Sequence, residues 1–165
     1  PHVSPSPSRV RETLFNWLQG EIAGKSCLEL FSGSGILSFE ALSRGAGQVV
    51  LVDQEAEVCR QQRNSFQQLN VSPDLFSIYC SSAEKYLEAP SSHPFDVIFM
   101  DPPFLMADYQ PLVKTIIDNQ WLQRDGLIYI ESGIKLGQDK KFADLPIIKQ
   151  KQAGQVHSTL MRNEH

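Results

Sequence analysis

Apolar and polar positions follow two different periods along the chain, and their order predicts the fold. Apolar residues recur at helical spacing over 9–19, which predicts an amphipathic helix. Short apolar runs predict strands at 26–31, 48–53, 75–80, 95–100 and 126–131. The longer segments between them predict helices near 35–44, 54–69 and 108–119, with a short one over 84–88. Such alternation predicts an α/β fold with a mostly parallel, doubly wound sheet.

The two ends of the chain depart from this alternation. Residues 1–8 hold three prolines and three serines, which predicts an extended lead-in. After Gly133 lysines accumulate while apolar density falls, and segments 146–152 and 155–162 predict a closing antiparallel hairpin that turns at Ala153-Gly154. Neither a repeat nor a second domain is evident, so we predict one domain over 9–165.

Composition narrows the classes of function. A chain of 165 residues with 41% apolar content can bury one sizeable core. Its 15 basic and 19 acidic side chains give a net charge of −4, which argues against broad, sequence-independent binding of nucleic acid but allows a local basic rim. The three cysteines lack C-x-x-C spacing, so we expect no disulfide framework, no metal site and a reduced, cytoplasmic setting. No apolar run reaches eighteen residues, so we expect no membrane partner.

A glycine-rich turn follows the first predicted strand. Gly33 and Gly35 let the backbone turn sharply and approach a ligand, while the next helix supplies unpaired N–H groups. A dinucleotide-binding turn has a third glycine where this chain has Ser38, which disfavours a nicotinamide dehydrogenase. Asp53 ends the second strand, eighteen positions beyond Gly35, the spacing at which a carboxylate reaches ribose hydroxyls. The alternative role for Asp53 is to cap the helix that begins near Gln54.

The string Asp101-Pro102-Pro103-Phe104 directly follows the predicted strand 95–100. It places a carboxylate, a backbone carbonyl and an aromatic face around one point, and the prolines stiffen the turn without donating an N–H group. These groups suit a planar ligand that carries an NH2 group. The alternative is a tight turn whose Phe104 packs in the core.

In this order the motifs resemble those of Rossmann-like S-adenosylmethionine-dependent methyltransferases, in which Asp-Pro-Pro-Phe or its Asn variant marks transfer to an exocyclic amino nitrogen. The string Ser-Arg-Val-Arg-Glu-Thr-Leu-Phe-Asn-Trp-Leu at 8–18, together with 31–35, 40–46 and 153–156, more narrowly resembles the RsmD family. This resemblance spans nearly the whole chain. It implies S-adenosyl-L-methionine as cofactor and methyl transfer to the N2 amino group of a guanine in small-subunit (16S) ribosomal RNA. The implied partner is that RNA within a partly or fully assembled small ribosomal subunit.

The resemblance also implies roles for individual residues. The glycine turn would hold the methionine part of the cofactor, with Glu29 near its amino group, and Ser82 and Ala83 would lie beside adenine. The predicted cofactor-binding residues are Glu29, Phe31, Gly33, Gly35, Asp53, Ser82 and Ala83. The predicted catalytic residues are Asp101, Pro102, Pro103 and Phe104. Arg9, Arg11 and Arg44 are predicted to contact RNA phosphates, the alternative being a solvated charged surface.

The chain departs from the family pattern at its start. Family members usually begin with a basic, glycine-containing arm and an Arg-Pro-Thr step, whereas this chain has Ser4-Pro5-Ser6 at that step. We therefore expect these residues to be a fragment or the ordered part of a longer protein. Two other functions stay open: an adenine-N6 DNA methyltransferase, although its usual DNA-recognition region does not fit in 165 residues, and a non-catalytic RNA-binding module, which leaves Asp101 without a purpose.

Overall fold

The computed structural model describes residues 7–103, 106, 108–137 and 141–165, in which helices and strands alternate. The helices are α1 (Pro7–Trp17), α2 (Ile36–Ser43), α3 (Ala56–Gln68), α4 (Ala83–Leu87) and α5 (Gln110–Asp118), with a 3-10 turn at Pro73–Leu75. The strands are β1 (Ser26–Leu30), β2 (Gln48–Asp53), β3 (Phe76–Cys80), β4 (Phe95–Met100), β5 (Leu122–Ser132), β6 (Lys141–Phe142), β7 (Leu145–Ala153) and β8 (Val156–Arg162).

The strands form one sheet in the order β3-β2-β1-β4-β5-β8-β7-β6. Strands β1 to β5 pair in parallel, whereas β8 is antiparallel to both β5 and β7. The predicted α/β fold with its C-terminal antiparallel hairpin is therefore confirmed. Strand order reverses between β1 and β4, and in open parallel sheets the crevice beyond the carboxyl ends at such a point is where ligands bind.

Helices cover both faces of the sheet, which explains why its central strands are almost entirely apolar. Alternate residues of β4 belong to different core layers, because successive side chains of a strand point to opposite faces. Val97 and Phe99 pack in the layer that includes residues of α1, α2 and α3. Ile98 and Met100 pack in the layer that includes residues of α4 and α5.

A helix start, a strand start and one short strand differ from the predictions. Helix α1 begins at Pro7, so the prediction that 7 and 8 belong to an extended lead-in was wrong; proline is favoured in a first helical turn. Residues 1–6, the rest of that lead-in, lie outside the described residues. Strand β5 begins at Leu122, before the predicted start at 126. An irregular step at Asp125 (φ 66°) and Gly126 interrupts its apolar pattern, so the earlier residues gave no strand signal. Strand β6 was missed because two residues carry no alternation.

No helix in the described ranges combines the length and the apolar character needed to cross a membrane.

The turn between β1 and α2 depends on two glycines with left-handed backbone angles. Gly33 has φ 52°, and a Cβ atom added there would meet open space. Gly35 has φ 79°, and an added Cβ would lie 2.8 Å from Cδ2 of Leu51 on β2. Gly35 is therefore required for two reasons, backbone angle and close packing, and Gly33 for the first alone.

We expect Gly35→Ala to destabilise the protein more than Gly33→Ala. Both substitutions add a left-handed alanine, which costs about 1–2 kcal/mol. Gly35→Ala also forces the new methyl group against Leu51, and overpacking typically adds about 1–3 kcal/mol. The free energy of unfolding in urea measures both variants, with Gly33→Ala as the matched control. Equal losses of stability would contradict the packing argument.

Candidate active site

Two adjoining cavities lie beyond the carboxyl ends of β1, β2, β4 and β5. The larger has a volume of about 810 Å³ and the smaller about 200 Å³. The side chains common to both linings are Phe31, Asp101, Glu131 and Val156. The larger volume falls in the range of about 300–1,000 Å³ that is typical of small-molecule sites. Asp101 therefore lies at the junction of the two cavities.

Asp53 connects the end of β2 to the glycine-rich turn. Its Oδ2 accepts a hydrogen bond from the Gly33 amide (2.9 Å), and its Oδ1 accepts one from the Glu55 amide (3.0 Å). Helix α3 begins at Ala56 with Glu55 in the capping position, so Asp53 supports the preceding turn and is not the capping residue. A carboxylate offers about four lone-pair positions. Asp53 thus keeps acceptor capacity for a ligand in the larger cavity, whose wall it forms.

Buried polar contacts hold the backbone of the glycine turn in place. The Gln62 amide on α3 donates to Ser32 Oγ (2.8 Å) and to the Gly33 carbonyl (2.7 Å), and Ser32 Oγ donates to the Val52 carbonyl (3.2 Å). Phe31, the residue before this turn, has φ 55°, a conformation that costs about 1–3 kcal/mol in a residue other than glycine. The surrounding bonds offset that strain. Sequence reasoning missed Gln62, since one glutamine on a helix gives no signal.

Glu29 is buried one residue before the end of β1 and joins helix α2 to the sheet. Its side chain is 4% exposed, and its Oε1 accepts hydrogen bonds from the Ser38 amide (3.1 Å) and hydroxyl (2.7 Å). Ser38 stands where a dinucleotide-binding turn would have glycine, and its hydroxyl bonds α2 to Glu29 of β1. Burial raises the pKa of Glu29 to about 8, although the Ser38 bonds oppose the shift. Glu29 also lines the smaller cavity. Its predicted contact with a cofactor amino group stays a prediction.

The residues predicted to lie beside adenine line the same cavity as Asp53. Ser82 caps helix α4, its Oγ accepting a hydrogen bond from the Lys85 amide (3.1 Å). Ala83 is buried at the start of that helix. The structure thus brings Ser82, Ala83 and Asp53 to one wall of the larger cavity.

Asp101 directly follows β4 and faces the cleft. It is exposed to the cleft, and the residues of the cleft walls surround it. This partial loss of solvent raises the pKa of Asp101 to about 7, with the negative charge of Glu131 as a second cause. Pro102 is buried, and the Pro103 carbonyl accepts a hydrogen bond from the Met106 amide (2.9 Å).

Phe104, predicted to stack on a target base, lies outside the described residues.

Glu131 is a site residue that sequence reasoning missed. It lies near the end of β5, and Met100 of β4 pairs with Ile130 of β5, so Asp101 and Glu131 are lateral neighbours. The Tyr129 hydroxyl donates to Glu131 Oε1 (2.9 Å). Burial raises the pKa of Glu131, and the bond from Tyr129 opposes the shift. The available signal was an acid at the end of a predicted strand, the same signal that identified Asp53.

The three predicted RNA-binding arginines have different surroundings. Arg11 lines the smaller cavity, and its Nε lies 4.0 Å from Glu40 Oε1. Arg44 donates to the other oxygen of Glu40 (2.8 Å), and its guanidinium lies 5.1 Å from the centre of the Phe15 ring. Arg9 is exposed in the first turns of α1. Glu40 therefore holds two of the three arginines, and the predicted contacts with RNA stay predictions.

We expect Glu29→Gln to flatten the loss of stability at alkaline pH. The pKa of Glu29 rises from 4.5 to about 8 on folding, so its contribution is fully present below pH 4.5 and is lost as pH rises through about 8. Glutamine keeps the oxygen that accepts both Ser38 bonds but does not titrate.

Urea unfolding at about pH 5 and about pH 9 measures the difference, which we expect to be smaller in Glu29→Gln by on the order of a few kcal/mol. Glu12→Gln, on the exposed side of α1, is the matched control. A variant whose stability falls with pH as steeply as that of the unmodified protein would contradict this assignment.

The model of the family described as Conserved hypothetical protein 95 matches residues 1–162. Ribosomal RNA small subunit methyltransferase D of Haemophilus influenzae is 36% identical over 98% of this chain and 83% of its own length. The protein of the same name from Escherichia coli K12 is 35% identical over 99% of this chain and 81% of its own length.

Solved structures give the same result. The structure of yhhF from Escherichia coli superimposes with a TM-score of 0.86 and 34% identity, covering 98% of this chain and 88% of that one. A Haemophilus influenzae protein gives a TM-score of 0.83 and 35% identity, covering 98% and 100%. These matches confirm the predicted enzyme class, a methyltransferase. The chain belongs to the Conserved hypothetical protein 95 family, which is the RsmD family that its motifs predicted.

Proposed function

We propose that this protein transfers a methyl group from S-adenosyl-L-methionine to the N2 amino group of a guanine in small-subunit ribosomal RNA. The observation that carries the proposal is the Asp101 carboxylate, which stands at the junction of the two cavities and is followed by two prolines. The names of the curated relatives support ribosomal RNA as the substrate. A partly or fully assembled small subunit is the proposed particle, which places the reaction in the cytoplasm.

The residues of the larger cavity fit the proposed cofactor. Asp53 offers lone pairs for ribose hydroxyls while its backbone contacts hold it in position. Ser82 and Ala83 supply an adenine-side wall. The glycine turn leaves open space beside Gly33, which lines the adjoining smaller cavity, for the methionine part. The buried carboxyl group of Glu29 gives an ammonium group in the smaller cavity an acidic neighbour.

Asp101 would activate the amino group of the target base by orienting it. The N2 lone pair of guanine is delocalised into the ring, which makes it a weak nucleophile. When the Asp101 carboxylate and the Pro102 carbonyl each accept one N–H, the lone pair localises and the developing positive charge is stabilised. Bound S-adenosyl-L-methionine supplies an electrophilic methyl group on a sulfonium, and the sulfur keeps the electron pair of the broken bond. A carboxylate with a pKa of about 7 can then accept the proton that the methylated amine releases.

The target guanine has to leave its helix to enter the cleft. A paired base keeps its amino group inside the stack, so we infer that the base is unpaired or turned outward in structured RNA. Phe104 would stack on it, and Arg9, Arg11 and Arg44 would contact phosphates and position the RNA without reading its sequence.

Replacing the proposed catalytic carboxylate should abolish transfer but leave cofactor binding intact. Asp101→Ala removes the acceptor that orients the amino group, so we expect methyl transfer to fall by about 100-fold or more. Incorporation of tritiated methyl groups into small-subunit particles from a strain lacking the enzyme measures the rate.

Calorimetry with S-adenosylhomocysteine measures cofactor-site affinity, which we expect to be nearly unchanged. Asp118→Ala, exposed at the end of α5, is the matched control. Full turnover by Asp101→Ala would refute the role of this carboxylate.

Asp53→Asn should have the opposite profile. An amide has one acceptor oxygen and must also satisfy the Gly33 and Glu55 amides, so too few lone pairs remain for ribose hydroxyls. We expect the affinity for S-adenosylhomocysteine to fall by about tenfold, as the loss of one charged hydrogen bond predicts. Thermal unfolding of the ligand-free variant separates this effect from damage to the turn. Unchanged affinity would limit Asp53 to a structural role.

A further inference from the structure

The Asp-Pro-Pro-Phe arrangement handles an exocyclic amino group and does not by itself distinguish guanine from adenine. The two bases differ at the ring position next to that group. Guanine has an N1–H donor beside its N2 amino group, whereas adenine has a bare N1 acceptor beside its N6 amino group. A site that accepts one base and rejects the other therefore needs a group beside Asp101 that reads the ring nitrogen.

We propose that Glu131 is this group: its carboxylate accepts the N1–H of the target guanine and thereby selects guanine over adenine. The inference rests on the proposed function and specifies how the same site recognises its base.

Strand register places Glu131 where such a contact is needed. Met100 pairs with Ile130, so Asp101 and Glu131 extend from neighbouring strands that lie about 4.8 Å apart. Phe99 and Tyr129 belong to the same core layer, so the residues two positions further along each strand point to the same face. Both carboxylates line both cavities. This lateral separation suits a base edge that presents two adjacent nitrogen atoms.

A buried network fixes the carboxylate of Glu131. The hydroxyl of Tyr129, a fully buried side chain, donates to Glu131 Oε1 (2.9 Å) and lies 3.1 Å from Ser158 Oγ on β8. Ser158 is itself buried and pairs directly opposite Glu131. Because Oε1 receives the Tyr129 hydrogen bond, Oε2 is left to serve the cleft. A group that two neighbouring strands hold in one orientation can discriminate between ligands.

The Glu131 carboxylate needs a hydrogen-bond donor from a ligand in the cleft. Within the described part of the chain, no lysine, arginine or histidine forms an ion pair with it; the nearby Arg11 pairs with Glu40. Two neighbouring carboxylates without a cation repel one another, and each needs hydrogen-bond donors. The guanine edge supplies N–H groups to both acids. The adenine edge would direct the N1 lone pair at the Glu131 carboxylate. Adenine N1 and the Glu131 carboxylate are both acceptors, so neither would be paired.

The test uses a base that has the reacting amino group but lacks N1–H. 2-Aminopurine retains the amino group at position 2 and has a bare N1. After mass spectrometry has located the methylated guanine, small-subunit particles are reconstituted with RNA that carries guanine or 2-aminopurine at that position. For the unmodified protein we expect kcat/KM to favour guanine by at least about 100-fold, because sites built to bind a substrate N–H strongly reject analogues without it.

Glu131→Gln should collapse this preference. The Tyr129 hydroxyl donates to the amide oxygen, which turns the NH2 group toward the cleft, where it can donate to a bare N1. We expect kcat/KM for guanine to fall by about 100-fold and the preference over 2-aminopurine to shrink to less than about tenfold. Glu88→Gln, an exposed acid beyond α4, is the matched control, with the preference unchanged. Calorimetry with S-adenosylhomocysteine verifies that the variant still folds and binds at the cofactor site.

The outcomes separate the two levels of the argument. A Glu131→Gln variant that loses activity on both substrates by the same factor would reduce Glu131 to a structural partner of Tyr129 and overturn the inference. Equal use of both substrates by the unmodified protein would overturn it as well. Failure of the unmodified protein to methylate any guanine would overturn the proposed function itself, and this inference with it.

Discussion

Parallel strand pairing is the constraint on which the site depends. In a parallel sheet every strand delivers its last residue to the same edge, and the reversal of order between β1 and β4 opens a crevice there. The acidic residues of the site come from different parts of the chain. Asp53 ends β2, Asp101 directly follows β4, and Glu131 lies near the end of β5. The apolar layers on both faces keep the strands in register. Core packing thereby sets the spacing of the polar groups in multiples of the strand separation.

The same constraint concentrates negative charge. Glu29 lies at the level of Phe99 and Tyr129, and Asp101 and Glu131 lie two residues further toward the crevice on the same face. Burial raises the pKa values of all three carboxyl groups, and like charges add to the shift for Glu29 and Asp101. A cleft with this lining favours ligands that bring N–H or O–H groups and positive charge. A sulfonium cofactor with an ammonium group and an amino-bearing base both have that character.

Much of this arrangement could be predicted from the sequence, because its signals are local. Short apolar runs marked the parallel strands, two glycines marked the first turn, and Asp53 and Asp101 stood at strand ends. The partners of these residues could not be predicted, since pairing depends on strand order and on side-chain direction. The hydrogen bonds from Tyr129 to Glu131 and from Ser38 to Glu29 form only when the chain folds. The helix start at Pro7 was missed because proline and serine also favour extended chain.

Glu40 illustrates how a side chain outside the cleft can shape the response of the protein to its surroundings. It engages both Arg11 and Arg44, so the first turns of α1 and the end of α2 share one anion. An incoming phosphate would exchange with this internal carboxylate instead of displacing only dissolved ions. Association that exchanges one anion for another releases fewer counterions than a count of arginines implies, and therefore varies less steeply with ionic strength.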